Sequence, residues 1–269
     1  TMIDLARDIP LFRATVVRFV QGEPDALLLV EFAGDDRDEQ LHSLKQLGAL
    51  MARLGLPGGV VEAVDPDFQK AVWEVRKSGL NIMMSMKGDG KPISFIEDCA
   101  VRLEDLAEYT DRLTQVFHKH GTTGTWYAHA SVGCLHVRPV INLKSEVGAQ
   151  KMRAIAEEAF AMVRQYKGSH SGEHGDGLVR SEFHEAMFGP RMVETFGEIK
   201  DAFDPDGRMN PGKIVTEDET LPTDKLRPEL VDKNGFIPDN GLVQLQLNWS
   251  PEELSVAAES CNGCGICRT

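Results

Sequence analysis

Segments with apolar residues at three- and four-residue spacing set the framework of this chain, because that spacing predicts amphipathic helices whose apolar faces must be buried. Three such segments cover residues 35–54, 103–120 and 144–166. Asp65 followed by Pro66 has the form of an N-cap with proline in the first turn, which predicts another helix over residues 68–78. Helices are therefore the main elements of the predicted core.

Short apolar runs between these helices predict strands. The runs are Phe12–Val20, Ala26–Phe32, Gly59–Val64, Ile93–Val101 and Trp126–Asn142, the last interrupted around residues 131–133. Two further helical stretches lead to Phe203. Strands that alternate with helices in this way indicate an α+β fold, in which helices pack on an antiparallel sheet.

Charge and hydropathy exclude two kinds of partner. Acidic residues outnumber basic ones by 42 to 29, and the formal net charge of −13 argues against nucleic acid. No run approaches the roughly 18 apolar residues of a membrane helix, and the amino terminus lacks the basic start and apolar centre of a signal peptide. We therefore expect a cytoplasmic protein without a transmembrane segment, and a chain that begins inside a longer protein.

The composition changes after Val215, where the chain becomes acidic and carries several prolines. Such a composition is typical of a linker. We therefore predict a folded domain over residues 1–215, a linker and the start of a next region over 216–260, and the truncated start of another domain over 261–269.

Two histidines, His129 and His136, lie seven residues apart in the predicted strand region. In an uninterrupted strand this separation would place them on opposite faces, but Gly133 offers a break that could bring them together. Neutral imidazoles on the two limbs of a tight turn can bind one divalent ion. A structural or surface role for both histidines is the alternative.

The loop SGEHGDG, residues 171–177, places three ionisable side chains among three glycines. Glycine lets a backbone approach a ligand closely. In this loop Glu173 could supply a carboxylate to a metal, and His174 could act as a base beside it. A solvated turn with incidental charge is the alternative.

Three of the five cysteines form a C-x2-C-x2-C run, namely Cys261, Cys264 and Cys267. This spacing is the opening of a ferredoxin-type iron–sulfur site. A zinc site and a redox-active pair are the alternatives. Cys99 and Cys134 lie in predicted strands, and we expect both to be buried structural thiols.

Three ordered motifs carry a family resemblance. The His129-x6-His136 segment, the SGEHGDG loop and the close DPDGRMNPGK at residues 204–213 resemble the C-terminal, substrate-side domain of the FAD-linked oxidases, a group that includes D-lactate and D-2-hydroxyglutarate dehydrogenases. The resemblance covers roughly Leu11 to Val215. The HVRP sequence at residues 136–139 and the cysteine run are most similar to long bacterial proteins in which a flavin domain, this domain and an iron–sulfur domain share one chain.

The resemblance implies the fold of that domain, with ferredoxin-like elements, and a role for each matching residue. His129, His136 and Glu173 match ligands of a divalent metal, zinc or manganese, and His174 matches the catalytic base beside the flavin. Arg76 matches the arginine that holds the substrate carboxylate, Lys91 a second cationic contact, and Asn210 a neighbour of FAD. A planar guanidinium suits a carboxylate because it can bind it through two hydrogen bonds.

Arg138 departs from the family pattern, because the better-known dehydrogenases have an asparagine two residues after the second metal-binding histidine. In the pocket, Arg138 would favour a dicarboxylate such as 2-hydroxyglutarate over lactate. The alternative is a strand residue that faces a neighbouring carboxylate.

The implied activity is FAD-dependent, metal-assisted oxidation of a D-2-hydroxy acid. The implied partners are the FAD-binding and iron–sulfur domains of the same parent chain, a 4Fe-4S cluster that takes electrons from the flavin, and an unidentified electron acceptor. Peripheral attachment to the inner face of the membrane is left open. A non-catalytic docking module and a metallohydrolase are the competing functions.

Overall fold

The computed structural model describes residues 2–56, 59–84, 86, 88–216, 218, 220–224, 226, 248–250, 253 and 257. Of these, the residues up to Met83 form one unit and those from Met84 onward form a second. No helix in this described part of the chain is long and apolar enough to cross a membrane. The iron–sulfur motif and most of the predicted linker lie outside the described residues, and the predicted domain boundaries stay a prediction.

Helices contribute most of the regular structure, and the strands are short. The helices are α1 (Met2–Asp8), α2 (Pro10–Phe19), α3 (Arg37–Arg53), α4 (Pro66–Lys77), α5 (Gly79–Met84), α6 (Leu106–Lys119), α7 (Glu146–Gln165), α8 (Gly177–Arg180), α9 (His184–Phe188), α10 (Pro190–Phe203) and α11 (Leu221–Asp224). The strands are β1 (Lys91–Pro92), β2 (Gly124–Thr125), β3 (Ala128–His129), β4 (Cys134–Leu135) and β5 (Arg138–Ile141). The α+β class predicted from the sequence is confirmed.

Capping explains two helices of the first unit. The Asp36 carboxylate accepts backbone N–H groups of Asp38 and Glu39 at the start of α3, and the Asp65 carboxylate accepts that of Phe68 at 2.8 Å in α4. Both helices are confirmed. Each carboxylate uses backbone donors that have no partner within the helix.

Three predicted strands of the first unit are wrong. Residues 12–20 belong largely to α2, where Pro10 occupies the first turn and Val16 is buried between neighbouring helices. Tertiary packing here overrides the strand preference of β-branched residues. Residues 26–32 and 60–64 have no regular structure. A strand needs a neighbour to take its backbone hydrogen bonds, and among the described residues none pairs with these two runs.

The core of the second unit lies where α6 and α7 pack with the β5 strand. Leu113, Val116 and Phe117 of α6 are buried as the sequence predicts. The predicted apolar positions of α7 are buried as well, namely Met152, Ile155, Ala159, Met162 and Val163. Both helix predictions are confirmed, because the apolar spacing matches the face that the fold covers.

The three-stranded sheet has the order β1-β5-β2 and is antiparallel throughout. The strand predicted over residues 93–101 is wrong for most of its length, since only Ala100 makes isolated bridges, to Cys134 and Ser169. The run contains Glu97 and Asp98, which are buried. Buried carboxylates must be hydrogen-bonded or paired, and the backbone turns here to let them meet their partners.

The hairpin of β3 and β4 determines which face carries each of the two predicted metal-binding histidines. Its register pairs Ala128 with Leu135 and His129 with Cys134, and residues 130–132 form a 3₁₀ turn. Directly opposed residues share a face and faces alternate along a strand. His136 lies two residues beyond Cys134, so its side chain returns to the face that carries His129. The predicted interruption near Gly133 is confirmed.

Gly133 has a φ of +70°, and a Cβ atom there would lie far inside contact distance of the Val101 carbonyl oxygen. We expect Gly133→Ala to lower the free energy of unfolding by about 2–5 kcal/mol, from left-handed backbone strain and overpacking together. Urea unfolding measures this loss. The control is Gly121→Ala, where φ is +61° but the space is open, and a loss of only about 1–2 kcal/mol is expected. Equal losses would contradict the steric argument.

Candidate active site

Two histidine side chains of the second unit converge on one carboxylate oxygen of Glu173. His129 ends β3, His136 follows β4, and Glu173 lies in the glycine-bearing loop between α7 and α8. The Glu173 Oε1 atom is 2.7 Å from His136 Nε2 and 3.3 Å from His129 Nε2. The two imidazole rings lie edge to face with centroids 5.0 Å apart. The structure therefore brings together the three residues that match a metal site.

The hydrogen bonds of His136 show that this cluster suits a cation. His136 Nδ1 lies 2.8 Å from the backbone carbonyl of Glu97. A carbonyl only accepts, so Nδ1 carries the proton and Nε2 of the neutral ring holds a lone pair. That lone pair faces a carboxylate oxygen, and two acceptors at 2.7 Å need a proton or a metal ion between them. A histidine whose second nitrogen donates to a carbonyl is the usual arrangement for a metal ligand.

Tyr127 orients both histidines. Its ring stacks on His136 with centroids 5.7 Å apart and meets His129 edge to face at 5.9 Å. The His136 backbone N–H also donates to the Tyr127 carbonyl at 2.6 Å. Hairpin pairing and ring packing together restrict the rotamers of both imidazoles.

Asp98 organises the loop that carries Glu173 and His174. Its fully buried carboxylate accepts the backbone N–H of Glu173 at 3.0 Å and that of His174 at 2.8 Å, and the Ser171 hydroxyl at 3.2 Å. Burial opposes ionisation, but these backbone hydrogen bonds, with the charges of His174 and Arg180, outweigh it and lower the pKa of Asp98 below its usual 3.8. A carboxylate in this position dictates the backbone path of the loop.

A buried ion pair supports the same loop from the other side. Arg180 Nη2 contacts Glu97 Oε1 at 2.7 Å, and Arg180 Nη1 donates to the Gly175 carbonyl at 2.5 Å. Sequence reasoning missed Glu97, Asp98 and Arg180. The available signal was a pair of adjacent acids inside an otherwise apolar run, since acids there are buried only when they have a partner.

His174 lies at the surface side of the cluster and stacks on His136 with ring centroids 4.6 Å apart. Its Nδ1 is 3.5 Å from Glu97 Oε1 and 3.7 Å from Asp98 Oδ1. Its Nε2 is 3.7 Å from Glu173 Oε1, so carboxylates lie near both ring nitrogens. His129, His174 and Glu173 are 38%, 41% and 46% exposed, whereas His136 is 9% exposed. The cluster thus opens toward solvent on the side of His129, Glu173 and His174.

Cys134 joins the acidic end of this cluster. Ligand atoms of Asp98, Cys134, His136 and Glu173 all lie within 4.8 Å of one another, a group that does not include His129. Cys134 Sγ donates to Asp98 at 3.7 Å. Burial, reinforced by the charges of Asp98 and Glu173, raises the pKa of the Cys134 thiol to about 12. Cys134 is therefore a structural thiol, and the predicted burial of both Cys134 and Cys99 is confirmed.

The two predicted cationic contacts of the second unit are Arg138 and Lys91, and their surroundings differ. Arg138 is half-buried in β5, and its Nε has no hydrogen-bond partner among the described residues. Burial lowers the pKa of Arg138, and the charge of Glu97 acts in the opposite direction. Lys91 Nζ donates to the Met86 carbonyl at 2.5 Å. The Nε donor of Arg138 thus makes no hydrogen bond among the described residues, whereas Lys91 stabilises the segment that leads from Met86 to it.

The other predicted site residues belong to the first unit, to the NPGK segment of the second unit, or to the part of the chain outside the described residues. Arg76 is in the last turn of α4 in the first unit, with its guanidinium 5.1 Å from the Trp73 ring centroid. Asn210 is exposed with a φ of +47°, and its Oδ1 accepts from Lys213 Nζ at 3.1 Å. The three cysteines of the iron–sulfur motif, Cys261, Cys264 and Cys267, lie outside the described residues.

Comparison with known proteins agrees with the motif order. Residues 5–214 match the family described as FAD linked oxidases, C-terminal domain. The chain is 32% identical over 279 aligned residues to D-2-hydroxyglutarate dehydrogenase of Pantoea ananatis, covering 99% of this chain and 26% of that protein. It is 31% identical to the same enzyme of Escherichia coli, with the same coverage. With D-lactate dehydrogenase of Archaeoglobus fulgidus it shares 29% identity over 74% of this chain and 41% of that protein.

The chain spans about a quarter of the length of the D-2-hydroxyglutarate dehydrogenases that it matches.

Proposed function

Because the chain belongs to the family of the C-terminal domain of FAD linked oxidases, we propose that it is the substrate- and metal-binding domain of an FAD-dependent dehydrogenase. The reaction is oxidation of a D-2-hydroxy acid to the 2-oxo acid. The observation that carries the proposal is the convergence of His129 Nε2 and His136 Nε2 on Glu173 Oε1. Three protein ligands leave an open position for substrate oxygen, as in catalytic metal sites.

The reaction removes the hydroxyl proton and a hydride from C2 of the substrate. When bound, FAD supplies the two-electron acceptor, and the divalent metal held by His129, His136 and Glu173 supplies a Lewis acid. His174 accepts the hydroxyl proton, because the neighbouring carboxylates of Glu97, Asp98 and Glu173 stabilise the imidazolium that results.

Substrate recognition is proposed to rest on local positive charge, since the net charge of the chain is −13. D-2-hydroxyglutarate is the favoured substrate and D-lactate the second, in keeping with the activities for which the relatives are named. In this proposal the guanidinium of Arg138 binds the second carboxylate of the longer substrate. Arg76 and Lys91 are assigned to the carboxylate next to C2, and Asn210 to the flavin, by the motif match alone.

Electron transfer beyond the flavin is proposed from the cysteine run. Cys261, Cys264 and Cys267 would supply three ligands of a 4Fe-4S cluster. That cluster would take electrons one at a time from the reduced flavin and pass them to an acceptor that we do not name. A cytoplasmic location belongs to the same proposal.

Flavin reduction in the full-length protein tests the proposed reaction. Anaerobic addition of D-2-hydroxyglutarate or D-lactate should bleach the flavin absorbance, and the L isomers should leave it unchanged. Bleaching by none of these acids would overturn the 2-hydroxy acid assignment. Hydrolytic activity without flavin would instead support the metallohydrolase, and full tolerance of substitutions at His129, His136 and His174 would support the docking module.

Arg138→Asn tests the substrate length. We expect kcat/KM for D-2-hydroxyglutarate to fall about 10- to 100-fold, the equivalent of one charged hydrogen bond, with a smaller loss for D-lactate. Steady-state kinetics with both acids measures the difference. The control is Arg112→Asn, because Arg112 donates to Tyr166 and Gln165 on the helical side of the core. Equal losses on both substrates would make Arg138 a purely structural residue.

A further inference from the structure

A second cluster of metal-binding side chains lies at the base of the loop that carries Glu173 and His174. His170 precedes the SGEHGDG sequence, Asp176 lies near its end, and His184 begins α9. Asp176 Oδ1 is 2.9 Å from His170 Nε2, and Asp176 Oδ2 is 3.2 Å from His184 Nε2. One ligand atom from each residue lies within 4.8 Å of the other two.

The nitrogen atoms of this cluster are incompletely used. His184 Nδ1 lies 3.0 Å from the Ile214 carbonyl, so Nδ1 carries a proton, and in the neutral form of the ring Nε2 holds a lone pair. That Nε2 is close to Asp176 but is not in hydrogen-bond geometry, and it has no hydrogen-bond partner among the described residues. A nitrogen and an oxygen that are near each other without being aligned are placed as ligands of a shared ion.

Burial makes the unsatisfied lone pair costly. The side chains of His170 and His184 are 0% and 1% exposed, and His170 Nδ1 is another buried atom without a partner in the described part of the chain. Aromatic rings surround both histidines, with Phe160 and Phe188 around His170, and Phe188 and Phe196 around His184. Unpaired polar atoms in such a setting call for an unseen partner.

We propose that His170, Asp176 and His184 bind a divalent first-row transition-metal ion, with Zn²⁺ as its ordinary occupant. Two imidazoles and one carboxylate are a common ligand set for such ions. The Ile214 carbonyl completes the pattern, because it fixes His184 with Nε2 toward the ion. The site is separate from the one at Glu173, and one water fills the remaining tetrahedral position.

The position of this site assigns it a structural role. His170 and Asp176 bracket the residues that carry Glu173 and His174, and His184 lies on the following helix. An ion that joins all three closes the base of the loop and ties it to α9. It therefore restricts the two ends of the loop, in addition to the hydrogen bonds that Asp98 makes with the middle of the loop.

Metal counting in the full chain tests the proposal. The starting protein is the His129→Ala/His136→Ala variant in which Cys261, Cys264 and Cys267 are also replaced by serine, because these thiols could bind zinc themselves; it is stripped with a chelator and titrated with Zn²⁺. We expect one equivalent of bound zinc, an upward shift of the thermal midpoint, and a visible d–d absorption spectrum when Co²⁺ replaces zinc. Adding His170→Asn and His184→Gln should weaken zinc binding at least 100-fold. A folded starting variant that binds no zinc, or that binds equally well after the second pair of substitutions, would overturn the second site.

Two further variants complete the test, one as an alternative substitution and one as a control. Should the His170 and His184 substitutions disturb folding, as seen by near-ultraviolet circular dichroism, Asp176→Asn removes the ligand charge while keeping the size, and it should likewise abolish zinc binding. Retained zinc in this variant overturns the proposal. The control is His120→Gln, which breaks a single histidine–carboxylate contact with Glu158 at 2.7 Å and should leave the zinc count unchanged. The Glu173 site is tested separately in the background that lacks only these three cysteines, where two equivalents should fall to one on removal of His129 and His136.

Discussion

Replacing His136 by alanine should remove the metal from the proposed active site and nearly abolish oxidation of the 2-hydroxy acid. Loss of a partner outside the ligand shell already costs about 10- to 100-fold in metal affinity or activity. We therefore expect more than about a 100-fold loss in kcat/KM on loss of a ligand itself. His136 is the more buried of the two proposed histidine ligands, and its Nε2 lies nearer to Glu173 Oε1, at 2.7 Å.

Metal analysis and flavin reduction should be measured on the same preparations of the His136→Ala variant. The matched control is His118→Ala, because His118 is an exposed histidine in the last turn of α6 and its loss should change neither quantity. Glu173→Gln removes the charge of a second ligand while preserving its shape, and it should reproduce the loss of metal. Unchanged metal content in both ligand variants would refute the assignment of these residues.

Substituting Asp98 by asparagine should destabilise the fold and slow catalysis, although Asp98 is not placed to touch substrate. The amide oxygen can take the place of Oδ2, which accepts from Glu173 and His174, but the negative charge is lost and an N–H₂ group then faces the Glu173 N–H from the Oδ1 position. Hydrogen bonds to a charged group contribute about 1.5–3 kcal/mol each, so we expect a loss of about 3 kcal/mol in the free energy of unfolding. Urea unfolding measures it.

The kinetic effect separates a positioning role of Asp98 from a merely structural one. A displacement of about 1 Å in a reacting group can cost about 100-fold in rate, and the loop that Asp98 holds carries both Glu173 and His174. We expect kcat to fall by about that factor under conditions where the variant is fully folded, with a smaller change in KM. The control is Asp111→Asn, since Asp111 is exposed on α6 and accepts only a side-chain bond from Gln115 at 2.8 Å. A normal kcat in folded Asp98→Asn would limit Asp98 to stability.

Helices were predictable where one face alone is buried. The apolar spacing of α6 and α7 and the Asp65 cap of α4 each specify a helix through interactions a few residues apart. Strands were less predictable, because an apolar run pairs only if a distant segment presents its edge. Residues 12–20 have the composition of a strand, yet they form α2 where helical neighbours cover Val16.

The residues of the candidate site also fall into those that local sequence identified and those that it did not. His129, His136, Glu173 and His174 were identifiable because chemically active residue types stand at short spacings next to glycine. Asp98 and Arg180 were not, since their partners lie 75 and 83 residues away in the chain. His170 and His184 were missed for a similar reason, because neither belongs to a motif and only the fold of the loop brings them to Asp176.

By itself, the sequence determined the α+β class and the main helices and singled out the residues proposed to carry chemistry, because these follow from local spacing, capping and side-chain type. The tertiary structure decided which face of the hairpin carries both histidines, which buried acid shapes the loop, and where a second cluster forms. Those outcomes depend on strand register and on contacts between distant segments, and each such contact forms only when the whole core has been assembled.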